Sequence, residues 1–349
     1  MTMSTGEFNS VVAEPEPPES GSGAAHDIVG RSPSQLAWRR LRHDKVAMTA
    51  LAVIILIVLF AILAPVLTAI EGQDPYTTHP LMPYLSQGSL DLSGPIPGSP
   101  TAAYRFFSLS HWLGIAPQTG RDIFARLAYG AQVSLLIGVL ATAVAVLLGT
   151  VIGAVAAFFG GVTDTLLSRL MDLLLAFPQL LLALTLTPIL QARLGNTFLG
   201  RGSTLPIASL VIILGVFGWP YLARIVRGQV LSLREREFVE AARALGAPSG
   251  RIIFKEIIPN VIPVVLVYAT ISIPANITAE AALSFLGAGV RDPTPSWGQM
   301  LNEASQSNWY QSDPWVLFVP GVMLLITVLA FNLLGDAVRD ALDPKAGRR

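Results

Sequence analysis

Six apolar segments run through this chain and commit it to a membrane. They lie at about residues 46–70, 133–159, 166–190, 205–225, 261–286 and 316–334. Each is close to the ~20 residues that a helix needs to cross the hydrocarbon core, and lipid cannot satisfy the free backbone groups of other structures. Only 13% of the residues are charged, against roughly 25% in soluble domains. We therefore predict an all-α integral membrane protein with six transmembrane helices.

The distribution of basic residues predicts the orientation of these helices. Sixteen Lys and Arg residues lie in the N-terminal flank, the segment 224–259 and the C-terminal tail, whereas six lie in the remaining loops. Because cytoplasmic loops are enriched in Lys and Arg, we expect both termini and the segment 224–259 in the cytoplasm. The predicted organisation is a disordered N-tail (1–30), a flank with the first helix (31–70), an extracytoplasmic loop or insert (71–132), a five-helix core (133–336) and a C-tail (337–349).

Several classes of site and partner are excluded by composition. The chain has no Cys, so disulfides, thiolate metal sites and Cys nucleophiles are excluded. Its four His are scattered and none has the spacing of a metal site, so we predict no metal ligands. The net charge is zero, which gives no reason to expect nucleic acid as a partner. The acidic N-terminal segment lacks the basic and short apolar runs of a cleavable signal peptide.

A charged segment, residues 234–259, separates the fourth and fifth apolar segments. Its first half, 234–246, is predicted to be a helix whose apolar face carries Phe238, Ala241, Ala242 and Leu245. The other face carries Arg236, Glu240 and Arg243. Such an amphipathic helix suits a groove in a partner protein. Packing on the membrane surface, or on its own chain only, is the alternative interpretation.

The end of this helix has the residues of a helix stop. Gly246 stands where a left-handed C-terminal cap is needed, and Pro248 prevents continuation. Ser249 is then expected to begin a second short helix, 250–258, that ends at Pro259. The segment is therefore predicted to form two short helices joined by a turn.

The spacing of Glu240-Ala241-Ala242, Gly246 and Pro259 resembles the EAA loop of membrane subunits of binding-protein-dependent ABC importers. Other short motifs, spread over about 31–345, resemble the C-type permease subunit of the dipeptide/oligopeptide branch; they include Asp74-Pro75-Tyr76, Gly120-Arg121-Asp122, Ala176-Phe177-Pro178 and the stretches 280–287, 293–297 and 331–336. The resemblance implies the type I ABC importer permease fold with a cytoplasmic coupling helix. It also implies which residues an ATPase subunit would contact: Phe238, Glu240, Ala241, Ala242, Arg243, Leu245, Gly246 and Pro259.

The same resemblance implies the partners and the activity. They are a homologous B-type permease, two ABC ATPase subunits and an extracytoplasmic substrate-binding protein that delivers di- or oligopeptides at a bacterial inner membrane. This chain would be non-catalytic, with ATP and Mg bound by the partner subunits. The sequence agrees, because a phosphate-binding loop needs Lys after Gly, and none of Lys45, Lys255 and Lys345 follows Gly.

Other interpretations of the function stay open at this point. The same machinery imports nickel or other small solutes in some relatives, and the sequence does not distinguish these substrates. An ion-coupled secondary transporter usually shows inverted repeats and buried charge pairs, and neither is evident here. A membrane scaffold that transports nothing would use the charged segment for assembly only.

The fifth apolar segment carries a polar stripe of four residues: Tyr268, Ser272, Asn276 and Glu280. Steps of four residues drift only ~40° around a helix, so these side chains share one slowly winding face. An unpaired carboxylate in a membrane costs roughly 2.5–3.5 kcal/mol, so Glu280 must face protein, water or a partner. One hypothesis is that the stripe lines the translocation pathway. The other is that it forms hydrogen bonds between helices without substrate contact.

Smaller motifs predict how the helices pack. Gly149 and Gly153 form a GxxxG pattern, which favours close contact with another helix. Pro178 and Pro274 are expected to bend their helices. Trp297 and the other aromatic residues of the loop 287–315 are expected at the membrane interface.

Overall fold

The fold is built from α-helices joined by loops in the part of the chain that the structure, a computed structural model, describes. These residues are 33–78, 111–116, 119–194, 204–306 and 314–342, and an isolated antiparallel bridge joins Ile115 to Asp122. The helices are α1 (Pro33–His43), α2 (Lys45–Ile62), α3 (Ala64–Glu71), α4 (Ile123–Phe159), α5 (Gly161–Leu175), α6 (Gln179–Leu194), α7 (Thr204–Leu233), α8 (Glu237–Ala244), α9 (Ser249–Phe285), α10 (Trp297–Gln306) and α11 (Trp315–Leu342). The predicted all-α class is confirmed.

Five of these helices, α2, α4, α7, α9 and α11, are long and apolar enough to cross a membrane. The pair α5 and α6 passes the same test together, which brings the number to the predicted six if the pair is one span. The predicted N-tail, most of the insert, including 79–110, and the residues beyond 342 lie outside the described residues.

The helices extend beyond the apolar segments. Helix α4 begins at Ile123, ten residues before the apolar segment, because Asp122 caps it with a 2.7 Å hydrogen bond from the Ala125 amide. Ala128 and Ala131 in this added part are fully buried. Packing against the other helices therefore keeps these residues helical outside the most apolar stretch.

The third apolar segment is bent rather than straight. Helix α5 ends at Leu175, α6 begins at Gln179, and their axes differ by 85°. Pro178 explains the break, because proline has no N–H and disfavours the helical conformation of the residue before it. Pro274, in contrast, lies inside α9, which continues past it.

The predicted close contact at the glycine pattern is present between α4 and α7. A Cβ atom added to Gly149 would lie 2.9 Å from the carbonyl oxygen of Trp219, and one added to Gly153 would overlap the carbonyl oxygen of Ala223. The two helices have the most extensive contact of any pair among the described elements. Glycine is thus required here because no side chain fits between the two backbones.

The prediction that a second short helix ends at Pro259 is wrong. The helix that starts at Ser249 widens into a π-helical turn over Ile252–Ile257 and continues as Ile258–Phe285. Pro259 stands in the first turn of this last part, where proline's missing N–H is tolerated. The π turn shifts the hydrogen-bond register immediately before the proline, so that the amide of Ile258 bonds to the Ile253 carbonyl. The charged segment is therefore joined rigidly to the fifth apolar segment.

Helix α10 covers one end of the bundle. Trp297 at its start is fully buried, and its indole Nε1 donates a 3.2 Å hydrogen bond to the Leu127 carbonyl. The predicted interfacial position of Trp297 is therefore wrong, because the ring packs against α4, where Gly130 leaves room for it. Aromatic residues 309 and 310 lie outside the described residues.

Ion pairs fasten the same end of the bundle. Arg126 of α4 is fully buried and contacts Gln299 at 2.5 Å and Glu303 at 3.0 Å, both from α10. Arg121 forms an ion pair with Asp292, just before α10. The hydrogen bond from Arg121 holds the pKa of the Asp292 carboxyl below its usual value. These contacts hold the loop and α10 against α4.

Candidate coupling surface and polar stripe

Helix α8 is the short helix predicted in the charged segment. It spans Glu237–Ala244, so it begins three residues later than predicted. At its end the Gly246 amide bonds to the Arg243 carbonyl at 2.9 Å, and the Ala247 amide bonds to the Ala242 carbonyl at 3.0 Å. These two bonds form a Schellman cap, and Gly246 has the expected left-handed conformation with φ of +73°. The turn after α8 is therefore set by local chemistry.

Two sides of α8 carry apolar residues, although the sequence pattern predicts only one apolar side. Val239 is completely buried in a cluster with residues of α4, α7 and α9, and Ala242 packs against this cluster. Phe238 and Ala241 are exposed, and Leu245 is 88% exposed. Val239 anchors α8 to its own chain. The exposed side chains of Phe238, Ala241 and Leu245 form an apolar surface that no described residue covers. We call Phe238, Ala241 and Leu245 the coupling surface.

Polar residues of this region attach it to the end of α4. The guanidinium of Arg243 lies 5.3 Å from the centre of the Phe158 ring, a cation–π contact within the chain. Arg234, before α8, donates a 2.7 Å hydrogen bond to the Ala157 carbonyl. Glu240 is exposed. A displacement of α8 would thus pull directly on α4.

Ion pairs also connect α5 to α7, the helix that leads into α8. Arg227 contacts both carboxylate oxygens of Asp164, at 2.5 and 2.7 Å. Asp172 accepts from Arg224 at 2.6 Å, and its contact with Arg169 is longer, 3.9 Å. The contact of Arg227 with Asp164 was not predictable, because the two residues lie 63 positions apart.

Two of the first three stripe residues, Tyr268 and Asn276, contact other helices of the same chain. The ring of Tyr268 stacks on Tyr221 of α7, with 5.9 Å between ring centres. Asn276 donates a 2.9 Å hydrogen bond to the hydroxyl of Thr142 in α4. Ser272 is partly buried. The stripe therefore runs along the contacts of α9 with α4 and α7.

Glu280, the fourth stripe residue, is fully buried and hydrogen-bonded. Its carboxylate accepts from the hydroxyls of Ser134 and Ser284, each at 2.8 Å. The Ser134 hydroxyl in turn accepts from the Trp297 amide at 3.3 Å, and that of Ser284 from the Val290 amide at 3.0 Å. This geometry is that of hydrogen bonding between helices. Contact of the stripe with substrate stays a prediction.

Comparison with known families decides what kind of chain carries this arrangement. The family model for the inner membrane component of binding-protein-dependent transport systems matches residues 146–348. This chain belongs to that family of transport permeases. The model for the N-terminal transmembrane domain of oligopeptide transport permease C matches residues 32–86 of the permease. The resemblance inferred from the EAA loop and the other motifs is confirmed.

Relatives of the permease are similar over almost their whole length. It is 39% identical to the dipeptide transport system permease protein DppC of Alkalihalophilus pseudofirmus, over 94% of this chain and 95% of the relative. It is 38% identical to the glutathione transport system permease protein GsiD of Escherichia coli O6:K15:H31, over 90% of this chain and 91% of the relative. Among solved structures, it is similar to the MetNI methionine ABC transporter in an inward-facing conformation, with a TM-score of 0.49 and 20% identity over 62% of this chain and 96% of that chain.

The permease is therefore a multi-pass membrane subunit of an ABC importer. Its family depends on a binding protein, so it works as one component of a larger transport system. The position of α8 fits such a subunit, because an exposed apolar surface on a firmly anchored helix needs a partner to cover it. The assignment of individual residues on α8 to that contact stays a prediction.

Proposed function

We propose that this permease is the C-type subunit of an importer for di- or oligopeptides. The similarity to a dipeptide permease and a glutathione permease over at least 90% of the chain supports a substrate of this class. The proposed partners are a B-type permease, two ABC ATPase subunits and an extracytoplasmic substrate-binding protein. ATP and Mg bind to the ATPase subunits, and the permease itself catalyses no reaction.

The coupling surface is the observation that carries this proposal. Leu245 is 88% exposed and Phe238 is 39% exposed, although both are large apolar residues. They are held outward by the burial of Val239 on the opposite side of α8. An ATPase subunit covers this surface, and α8 transmits its movement through Arg243 and Phe158 to α4.

The direction of transport requires α8 on the cytoplasmic side, where ATP is present. The basic residues of the N-terminal flank, the segment 224–259 and the C-terminal tail support this orientation, since these three regions contain sixteen of the 23 Lys and Arg residues. Closure of the ATPase dimer on ATP displaces α8. A short turn joins α8 to α9, and α9 runs without interruption into the membrane, so a displacement of α8 moves this transmembrane helix with it.

Substitution of Leu245 tests the proposal. Leu245→Asp places a charge at the centre of an apolar contact without disturbing the chain's own core, because the side chain is almost fully exposed. We expect the variant to insert and fold normally, to retain less than a tenth of the ATPase subunits on purification, and to lose ATP-dependent dipeptide uptake in vesicles. Leu245→Met is the matched control, which keeps an apolar side chain of similar volume.

Two outcomes would contradict the proposal at different points. Full retention of the ATPase subunits by Leu245→Asp would show that the coupling surface is not their binding site. If the importer instead couples ATP hydrolysis to the uptake of a different solute and takes up no dipeptide, the permease role would stand and the proposed peptide substrate would be wrong.

A further inference from the structure

An apolar groove of about 320 Å³ lies on the outer surface of the permease between α2 and α11. It is lined by Lys45, Val46, Thr49, Ala50 and Val53 of α2 and by Ile326, Leu329, Ala330 and Leu333 of α11. Its volume is within the range of clefts that bind small ligands. Val46 and Leu329 are more than half exposed, so the groove opens toward the surroundings of the helices.

The groove walls present hydrocarbon to an occupant along their whole length except at one end. Thr49 is a polar residue of the wall, but its hydroxyl donates a 2.8 Å hydrogen bond to the Lys45 carbonyl, which leaves its methyl group for the groove. Lys45 is the first residue of α2, and its ammonium group is the one positive charge among the residues that line the groove. A suitable occupant therefore has a long apolar part and an anionic end.

The surroundings of Lys45 strengthen the positive charge at this end. Helix α1 immediately precedes it and contacts α11. The basic residues of α1, the start of α2 and the end of α11 are Arg39, Arg40, Arg42, Lys45 and Arg339, and the acidic ones are Asp44, Asp336 and Asp340. The carboxylate of Asp44 accepts hydrogen bonds from the amides of Val46 and Ala47, so it is directed toward its own helix. Basic residues remain in excess.

We propose that this groove binds one anionic phospholipid from the bilayer. An acyl chain occupies the space between α2 and α11, and the phosphate lies against Lys45 and the arginines of α1. Trp38 of α1 is 57% exposed, as expected for an aromatic residue at the level of the lipid headgroups. The lipid fills the gap between α2 and α11 and holds α1 on the membrane surface. This inference is independent of the substrate and of the ATPase contact.

Lipid retention by the purified importer complex tests the site. The complex is reconstituted into bilayers of phosphatidylcholine with a fixed fraction of phosphatidylglycerol, then released, and the bound lipids are counted by native mass spectrometry. We expect preferential retention of one phosphatidylglycerol and about a fivefold loss of that preference in Lys45→Gln, the factor that about 1 kcal/mol per basic residue near a membrane surface gives. Arg169→Gln is the matched control, because Arg169 is also an exposed basic residue on a predicted membrane helix but lies outside the groove. Equal retention by the wild type, Lys45→Gln and Arg169→Gln would overturn the proposal.

A second variant distinguishes a lipid from a protein in the groove. Thr49→Phe fills part of the cleft while Lys45 keeps its charge, and we expect it to abolish retention of the bound lipid. Thr49→Cys provides a unique labelling site, since the chain has no native Cys. A spin label at this position should show high accessibility to oxygen dissolved in the bilayer. Low accessibility together with cross-linking to the B-type subunit would show that a partner helix occupies the groove, which would refute the proposal.

Discussion

Replacing Glu280 by alanine separates the two interpretations of the polar stripe on α9. In the structure this carboxylate is fully buried and accepts hydrogen bonds from Ser134 and Ser284. If its role is to join helices, the substitution should destabilise the permease and affect uptake only through that loss. If its role is to contact substrate, uptake should fall while stability is kept.

The expected destabilisation follows from the contacts. Alanine removes two hydrogen bonds of about 1 kcal/mol each, leaves the hydroxyls of Ser134 and Ser284 without their acceptor, and opens a cavity where the side chain stood. Together these effects amount to about 3–5 kcal/mol, which corresponds to a decrease of the unfolding temperature on the order of 10 °C. Glu280→Gln is the matched control, because its amide keeps an acceptor oxygen for one serine, and we expect it to cost about 1 kcal/mol.

Thermal unfolding of the purified complex, followed beside dipeptide uptake in vesicles, provides the measurement. We expect Glu280→Ala to unfold well below the wild type and Glu280→Gln to be close to it in both stability and uptake. An alanine variant that unfolds at the wild-type temperature but transports nothing would refute the structural role and favour contact with substrate. A cysteine at position 280 should also stay unreactive toward a water-soluble thiol reagent.

Two further predictions concern packing and pH. Gly153→Ala should lower the free energy of unfolding by about 1–3 kcal/mol, because the added Cβ overlaps Ala223. Gly228→Ala is the control: no atom lies within 4 Å of its added Cβ, so it should raise the free energy of unfolding by up to about 1 kcal/mol. Shifts of the same sign in the unfolding temperatures of the two variants would contradict this reasoning. Burial raises the pKa of Glu71 from 4.5 to about 7, so the neutral carboxyl is favoured in the folded state. The contribution of this carboxyl to local stability is therefore greatest below pH 4.5 and is lost as the pH rises through 7. The protection factor of the Trp112 amide against hydrogen exchange should therefore fall over this range in the wild type and stay constant in Glu71→Gln, since this amide donates to Glu71 at 2.6 Å.

Features of local chemistry were predictable from the sequence. The cap at Gly246 depends on residues within one turn of α8, and its left-handed backbone is the one that glycine adopts most readily. The GxxxG pattern at Gly149 and Gly153 marked a close contact, because only a missing side chain permits it. Pro178 predicted a bend, but the angle of 85° between the two helices was not predictable.

Features that depend on distant residues were not predictable. Val239 lies off the apolar stripe of α8, and its burial became visible only with α4, α7 and α9 around it. Trp297 is of a residue type that is common at membrane interfaces, but it is buried at the end of the helix bundle, against α4. Glu280 meets Ser134, which is 146 positions away.

The amino-acid sequence alone determined that the chain is a helical membrane protein, roughly where its spans lie, and to which family it is similar. Hydrophobic length and backbone hydrogen bonding in lipid leave few other solutions, and both are properties of contiguous residues. The tertiary structure decided which side of α8 is anchored and which is exposed, and what surrounds the buried carboxylate of Glu280. Burial and hydrogen-bond partners arise where helices distant in sequence meet, so these properties exist only in the folded molecule.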